Sequence, residues 1–323
     1  MYQMMSLPLY SGTFQEYDSW RDLGQELERL GCDGIEGVWG GEDLPKDLPA
    51  ELILGYHLIF YPDWLDFYRD DRAALKQKFG SLEAVASFYG GLGPDTLLEQ
   101  YRADLRRAVN LGARYVVFHV SDVSLEEGYT YRWLHTNQEV IDAAVEVVNL
   151  ILGEERWPFE FLVENQWWPG FTFTEPEETA RLLEGIRFAG KGILLDTGHL
   201  MNACTELKTE AEGADYIRSM LNRHGSLAKW VRGVHLHQSL SGAYVKAHTG
   251  SLPAGLPEDY MERFGVSYQH ILQIDQHRPW TDPAILPVLE QIEPRYLTHE
   301  LSSRGRMARA EAVSIQTRLL RQG

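Results

Sequence analysis

Eight short apolar runs, separated by stretches of helical periodicity, constrain the fold of this chain more than any other feature. The runs are residues 6–11, 33–39, 51–57, 114–120, 159–165, 192–196, 231–237 and 295–301. Between them, apolar residues recur every three or four positions, as in DTLLEQYRADLRRAVNLG and TNQEVIDAAVEVVNLILG, which predicts amphipathic helices. Strands that alternate with helices predict a parallel α/β sheet, and eight is the number that closes a (β/α)8 barrel.

The alternative fold is a doubly wound open sheet. No GxGxxG sequence follows the first run, which argues against the dinucleotide-binding form of that fold. A chain of 323 residues suits a barrel of about 250 residues with insertions. We therefore predict that residues 1–323 form one TIM-barrel domain, with long βα-loop insertions at about 58–93 and 238–283.

The charge balance and the cysteines limit the expected partners and location. The formal net charge is −17, and a surface of that sign repels nucleic-acid phosphates unless bound metal ions reverse the charge locally. Cys32 and Cys204 form no CxxC pair, which favours a reducing, cytoplasmic environment. The first residues lack the basic and apolar regions of a signal peptide. The sequence contains no run of about 18 apolar residues, so it predicts no membrane span.

Side chains of metal-ligand type occur where six of the predicted strands end. They are His57, His119, Glu164, Asp196, the pair His235 and His237, and Glu300. A single histidine at a strand end is usually a hydrogen-bonded structural residue, and a single buried glutamate usually pairs with an arginine. Six such ends at one barrel mouth indicate a divalent cation, which satisfies several buried carboxylates together. Mixed carboxylate and imidazole donors suit Zn²⁺ or Mn²⁺.

The stretch GILLDTGHL at 192–200 also contains the Asp-Thr-Gly sequence of aspartic proteases. Those proteases need two such turns that share a proton, on an almost all-β fold. This chain has one copy and is rich in helical patterns. We therefore interpret Asp196 as the end of a barrel strand and exclude a protease.

Four motifs in matching order resemble the xylose-isomerase-like barrel superfamily, and the resemblance covers nearly the whole chain. They are ENQ at 164–166, DTGH at 196–199, VHLH at 234–237 and THEL at 298–301. The superfamily includes sugar isomerases and epimerases, inosose dehydratases and zinc-dependent apurinic-site endonucleases. For the epimerase branch, the resemblance implies one metal held by Glu164, Asp196, His235 and Glu300. Glu164 and Glu300 would also be the catalytic acid/base pair that moves a proton next to a metal-polarised carbonyl.

The endonuclease branch implies further ligands, and together they complete the nine ligand types of a three-zinc site. In this sequence the additional residues are His57, His119, His199, Asp275 and His277. Three features depart from that branch. Asp275 follows His235 by 40 residues, and His248 competes for its place. HLHQS replaces an HLND-like sequence, and no Arg/Lys-rich loop suited to gripping a duplex is present.

The sequence therefore favours a divalent-metal-dependent isomerase or epimerase, or a related lyase, acting on a small sugar or polyol. The cofactor would be one to three ions of Zn²⁺, Mn²⁺ or Co²⁺. Candidate substrate-binding residues are His199, His237, His248, Trp167, Trp168 and Tyr61. The alternative is a multi-zinc phosphodiester hydrolase resembling AP endonuclease family 2, and a non-catalytic metal- or ligand-binding barrel is the third hypothesis. A small carbohydrate is the expected partner, nucleic acid is disfavoured, and homo-oligomerisation is left open.

Overall fold

The polypeptide winds into a closed barrel of eight parallel strands, in which each strand pairs with the next in sequence and β1 also pairs with β8. The computed structural model describes residues 1–322. The strands are β1 (Tyr2–Leu9), β2 (Gly34–Trp39), β3 (Ile53–His57), β4 (Tyr115–His119), β5 (Glu160–Glu164), β6 (Lys191–Asp196), β7 (Val231–His235) and β8 (Tyr296–His299). The prediction of a (β/α)8 TIM barrel is confirmed.

Helices surround the barrel, and further helices lie within its long loops. They are α1 (Ser11–Phe14), α2 (Trp20–Leu30), α3 (Leu65–Tyr68), α4 (Arg72–Phe79), α5 (Leu82–Tyr89), α6 (Pro94–Asn110), α7 (Leu125–Thr130), α8 (Asn137–Leu152), α9 (Pro176–Gly185), α10 (Thr197–Asn202), α11 (Glu210–His224), α12 (Gly242–His248), α13 (Tyr260–Ile274), α14 (Leu286–Ile292) and α15 (Arg306–Leu320). Short 3₁₀ helices cover Ala50–Leu52, Gly225–Trp230 and Pro283–Ile285. Within residues 1–322, no helix is long and apolar enough to cross a membrane.

The first strand begins earlier than its apolar run predicts. β1 covers Tyr2–Leu9 instead of residues 6–11, because backbone pairing with β8 already begins at Tyr2, opposite Tyr296. The run ends earlier as well, since Ser11 is the first residue of α1. The difference arises because strand pairing, which the local sequence does not encode, sets the bounds of a strand as much as its own residues do.

The barrel interior has an apolar part and a polar mouth. The apolar part consists of Met4, Leu54, Tyr115, Val117, Leu162, Leu194 and Tyr296. The hydroxyl of Tyr115 marks the boundary, because it donates to Glu36 Oε2 at 2.6 Å and lies 3.0 Å from Thr298 Oγ1. Beyond this layer the buried side chains are polar, as expected at the C-terminal face where barrel enzymes build their active sites.

The insertion after β3 is a folded unit tied to the barrel by a buried ion network. The ammonium of Lys78 on α4 lies 2.7 Å from both Asp63 and Asp66, and all three side chains are at least nine-tenths buried. Asp122, which follows β4, accepts the backbone N–H groups of Trp64 and Leu65 at 2.8 Å. These contacts fix the loop after β3 against the loop after β4, so both can form walls of a site.

We expect Lys78→Met to lower the free energy of unfolding by about 3 kcal/mol, because it leaves buried carboxylates without their cation. Urea denaturation at neutral pH measures this change. Lys76→Met is the matched control, since Lys76 is exposed on the same helix and should change stability by less than about 0.5 kcal/mol. Equal, small effects of the two substitutions would contradict a structural role for the network.

Candidate metal centre

Six consecutive strands deliver ligand-type side chains to the same mouth of the barrel. His57, Glu164, Asp196 and His235 are the last residues of β3, β5, β6 and β7, and His119 is the last residue of β4. Glu300 follows β8 directly. Because parallel strands present their carboxyl ends at one face, these side chains converge there, in three groups whose ligand atoms lie within 4.8 Å of one another.

The first group consists of His57, His119 and Glu164. The two Nε2 atoms are 3.0 Å apart, and Glu164 Oε2 lies 3.3 Å from the first and 3.2 Å from the second. His57 donates its Nδ1–H to the carbonyl of Leu58 at 2.8 Å, which leaves Nε2 as an electron-pair donor. Atoms bound tetrahedrally to one zinc ion at about 2.0–2.1 Å are about 3.3 Å apart. The first group therefore has the spacing of a metal site.

The second group consists of Glu164, Asp196, His235 and Glu300. His235 Nδ1 lies 3.0 Å from Glu300 Oε2, 3.5 Å from Glu164 Oε1 and 3.7 Å from Asp196 Oδ2. Glu164 thus belongs to two groups, with Oε2 facing the first and Oε1 facing the second. A carboxylate placed in this way can bridge two ions.

The third group consists of His199, His237, Asp275 and His277. Asp275 Oδ2 lies 3.3 Å from His199 Nε2 and 2.6 Å from His277 Nε2. His277 donates its Nδ1–H to the carbonyl of Glu300 at 3.0 Å, so its other nitrogen faces the group. The structure therefore brings the distant Asp275 and His277 to the mouth.

An antiparallel backbone bridge brings Asp275 and His277 close to the end of β7, although they are far from it in the sequence. The backbones of Gln238 and Arg278 exchange two hydrogen bonds, at 2.8 and 3.1 Å. The backbone N–H of Gln276 donates to Ser239 Oγ at 2.9 Å. Residues 240–275 form an excursion that leaves the barrel and returns to the end of β7. His248 lies on that excursion, exposed, with its ring stacked on Tyr244, and it is part of none of the three groups.

Unpaired buried atoms show that the protein alone does not satisfy this site. Both oxygens of Glu164, together with His235 Nδ1, Asp275 Oδ1 and Glu300 Oε2, are buried and make no well-directed hydrogen bond within the protein, although His235 Nδ1 and Glu300 Oε2 are only 3.0 Å apart. Leaving such groups unpaired is costly. Divalent cations would satisfy them, and the mixture of imidazole and carboxylate donors suits zinc or manganese. The residues therefore fit bound metal ions.

The carboxylates and imidazoles of the site shift each other's pKa values strongly. Burial by itself raises the pKa of Glu164, but His119 and His235 hold it well below its usual range. Burial by itself lowers the pKa of His199, whereas Asp196 and Asp275 raise it well above its usual range. Asp275 likewise raises the pKa of His277 to about 10 against the effect of burial. The carboxylates are thus ionised and ready to bind cations, which would displace protons from the histidines.

Glu36 orients His235, a role that the sequence analysis missed. Glu36 Oε1 lies 2.8 Å from His235 Nε2, and its other oxygen accepts hydrogen bonds from Tyr115 and Thr298. The contact turns Nδ1 of His235 toward the second group, as carboxylates do behind histidine ligands. The available signal was Glu36 itself, an acidic residue inside the apolar run GIEGVW. A glutamate is rarely buried unless its carboxylate has polar partners.

A cavity of about 600 Å³ opens next to the three groups. Four of the candidate substrate-binding residues line it, namely Tyr61, Trp167, Trp168 and His199. Neither His237 nor His248 is part of the lining. His237 is completely buried, and its Nε2 lies 2.8 Å from Asp196 Oδ2, so its geometry suits an orienting or metal-binding role better than substrate contact.

A family model described as xylose isomerase-like TIM barrel matches residues 25–292. The chain belongs to this family. The match agrees with the ordered motifs and with the closed barrel. No curated protein matches the sequence significantly.

Several solved structures resemble the chain over nearly its whole length. A D-tagatose 3-epimerase-like protein has a TM-score of 0.53 at 15% identity, covering 100% of this chain and 98% of its own. Endonuclease IV from Thermus thermophilus has a TM-score of 0.50 at 16% identity, covering 100% of both chains. Mannonate dehydratase from Streptococcus suis serotype 2 has a TM-score of 0.53 at 13% identity, covering 99% and 93%. These identities establish a shared fold, and the reaction has to be argued from the site.

Gly198→Ala should disturb this site by displacing His237. A Cβ at position 198 would lie 2.0 Å from His237 Cε1, and the ring cannot move freely because it is fully buried. We expect a loss of about 1–3 kcal/mol in the free energy of unfolding. Chemical denaturation of the metal-free protein measures it.

Gly265→Ala is the matched control for this prediction. Gly265 also lies inside a helix, and an added Cβ there would have nothing within 4 Å. That substitution should stabilise the protein by about 0.5–1 kcal/mol. If both alanines stabilised it equally, Gly198 would not be required by the packing of His237.

Proposed function

We propose that the chain is a multi-metal hydrolase of phosphate esters. One observation carries this proposal, namely that the first and third groups converge on the second group at one mouth. A single-metal isomerase needs only Glu164, Asp196, His235 and Glu300. That reaction does not require the additional donors as metal ligands, whereas several adjacent ions are typical of phosphatases and nucleases.

Charge balance supports phosphate chemistry. Of the ten residues in the three groups, four are carboxylates and six are histidines. Three divalent ions carry six positive charges against four negative ones, so the occupied centre would be positive within a chain of net charge −17. Such a centre attracts and stabilises a phosphoryl group, whose charge is spread over several oxygens.

The burial of Glu164 also supports hydrolysis over proton transfer at carbon. An acid/base pair must reach the substrate from both sides. Glu164 is completely buried between histidines and does not line the cavity, whereas Glu300 does. In the proposal, Glu164 would serve as a metal ligand shared by the first and second groups and not as a catalytic acid or base.

The proposal gives the metal-binding residues and Glu300 the following roles. Bound divalent ions would supply Lewis-acid stabilisation of the charge that develops on the phosphoryl oxygens. His57 and His119 with Glu164 would hold one ion, the second group would hold another, and the third group would hold a third. Glu300, with 20% of its side chain exposed, is the carboxylate placed to accept a proton from an attacking water.

An isomerase or epimerase of a small sugar is the second candidate function. The observation that favours it is the convergence of Glu164, Asp196, His235 and Glu300 around one point, which is all that a single-metal mechanism requires. In that mechanism the donors of the other two groups would bind substrate oxygens or remain hydrogen-bonded. The two candidates therefore differ in the number of ions and in the need for Asp275.

Metal analysis together with activity measurement tests the proposal. We expect protein reconstituted with Zn²⁺ or Mn²⁺ to contain three ions per chain by elemental mass spectrometry, one for each group. We also expect it to hydrolyse phosphate mono- or diesters, and a chelator should abolish the activity. One ion per chain combined with interconversion of ketoses would overturn the proposal.

Asp275→Asn separates the two candidate functions. We expect this variant to lose one ion and about 100-fold or more in kcat/KM for ester hydrolysis, since the carboxylate joins His199 and His277. Glu258→Gln removes an exposed carboxylate from the same excursion and is the control that should leave both quantities unchanged. An Asp275→Asn protein with full metal content and full activity would contradict a role for the third group.

A further inference from the structure

Most of the cavity beside the metal groups is built from aromatic and aliphatic side chains. Phe60 and Phe88 come from the insertion after β3, Trp168 follows β5, and Phe264 and Tyr268 belong to α13. The metal-ligand side chains, including His199 and Glu300, occupy one end. The cavity therefore has a polar end that suits a charged group and an apolar body that suits an uncharged part of the same ligand.

Helix α13 covers this cavity. His270 on α13 lies 3.2 Å from the carbonyl of Gly128 through its Nε2, and its ring stacks on Tyr129 with a centroid distance of 4.3 Å. At the other end of the helix, Arg263 donates to the carbonyl of Lys78 at 3.2 Å. The helix is thus fixed to segments that follow β3 and β4. The covered space of about 600 Å³ has the size of a small-molecule site, whereas a double helix needs an open surface.

Away from the metal groups, the lining favours apolar parts of a ligand over charged or heavily hydroxylated parts. Among the described residues that line it, none is lysine or arginine, yet nucleic-acid backbones are held mainly by such cations. Away from the metal groups, the hydrogen-bonding groups of the lining, such as Gln166 and the indole N–H groups of Trp167 and Trp168, are scattered among larger aromatic and aliphatic surfaces. A heavily hydroxylated sugar would leave several of its hydroxyls against these apolar surfaces, which is costly. Aromatic walls instead favour flat apolar groups.

We infer that the substrate is a small phosphate ester whose alcohol part is aromatic or otherwise flat and apolar, an inference that rests on the proposed hydrolase function. The phosphoryl group lies at the histidine and carboxylate end, and the ring lies under α13 against Trp168 and Tyr268. Water adds to phosphorus, and the bond from phosphorus to the ester oxygen breaks. One proton of the water ends on the leaving oxygen, the other stays with the phosphate product, and no redox partner is needed.

The test compares esters that differ in the alcohol part but have similar intrinsic reactivity. Benzyl phosphate and glycerol phosphate, and the methyl diester of each, are offered to the metal-loaded full-length protein, beside a duplex oligonucleotide with an apurinic site. We expect kcat/KM for a benzyl ester to exceed that for the matching glycerol ester by about 100-fold.

The outcomes separate this inference from the proposed function. Equal or faster turnover of the glycerol esters, or faster cleavage of the oligonucleotide, would overturn the inference and leave the hydrolase function intact. If no ester and no oligonucleotide were cleaved, the hydrolase function itself would fail, and the substrate inference with it.

Tyr268→Ala provides a second measurement with little risk to folding, because Tyr268 is 53% exposed while also lining the cavity. We expect kcat/KM for the benzyl ester to fall by about fivefold to tenfold through loss of ring contact, with the slow glycerol reaction unchanged. Met261→Ala, on the same helix but outside the cavity, should change neither. An equal effect of Tyr268→Ala on both esters would overturn the placement of the ring under α13.

Discussion

The site depends on one buried carboxylate, because the two oxygens of Glu164 face different sets of histidines. Oε2 lies 3.3 and 3.2 Å from His57 and His119, while Oε1 lies 3.1 and 3.5 Å from His199 and His235. Removing an ionised carboxylate from water is expensive unless cations or strong donors surround it. The closed barrel makes this possible, since β5 lies between β4 and β6 in the sheet. Glu164 therefore contacts at least one histidine from each of the three groups.

Helix α13 couples the metal groups to the cavity that serves them. Asp275 immediately follows the helix, while Phe264 and Tyr268 on the same helix form part of the cavity wall. The return of the chain is fixed by the backbone pair between Gln238 and Arg278. One segment therefore supplies both a ligand and a covering wall.

The strand-end ligands were predictable because the rule behind them is local. A ligand-type residue at the end of an apolar run, in a barrel of parallel strands, must come to the C-terminal mouth, and His57, Glu164 and Asp196 do so. Glu36 was missed because its meaning depends on His235, about two hundred residues away. The sequence also could not choose between His248 and the pair Asp275 and His277, since either lay on a long loop of unknown path.

The sequence by itself determined the eight strands, their parallel order and the set of donor types, because strand and helix periodicity and the carboxyl-end rule act over short distances. The tertiary structure alone decided which donors share a group, that Asp275 returns to His199, and that α13 covers an aromatic cavity. The physical reason is that these arrangements depend on contacts between distant segments. Hydrogen bonds such as those between Gln238 and Arg278, and the burial of Glu164 among four strands' histidines and carboxylates, exist only after the barrel has closed.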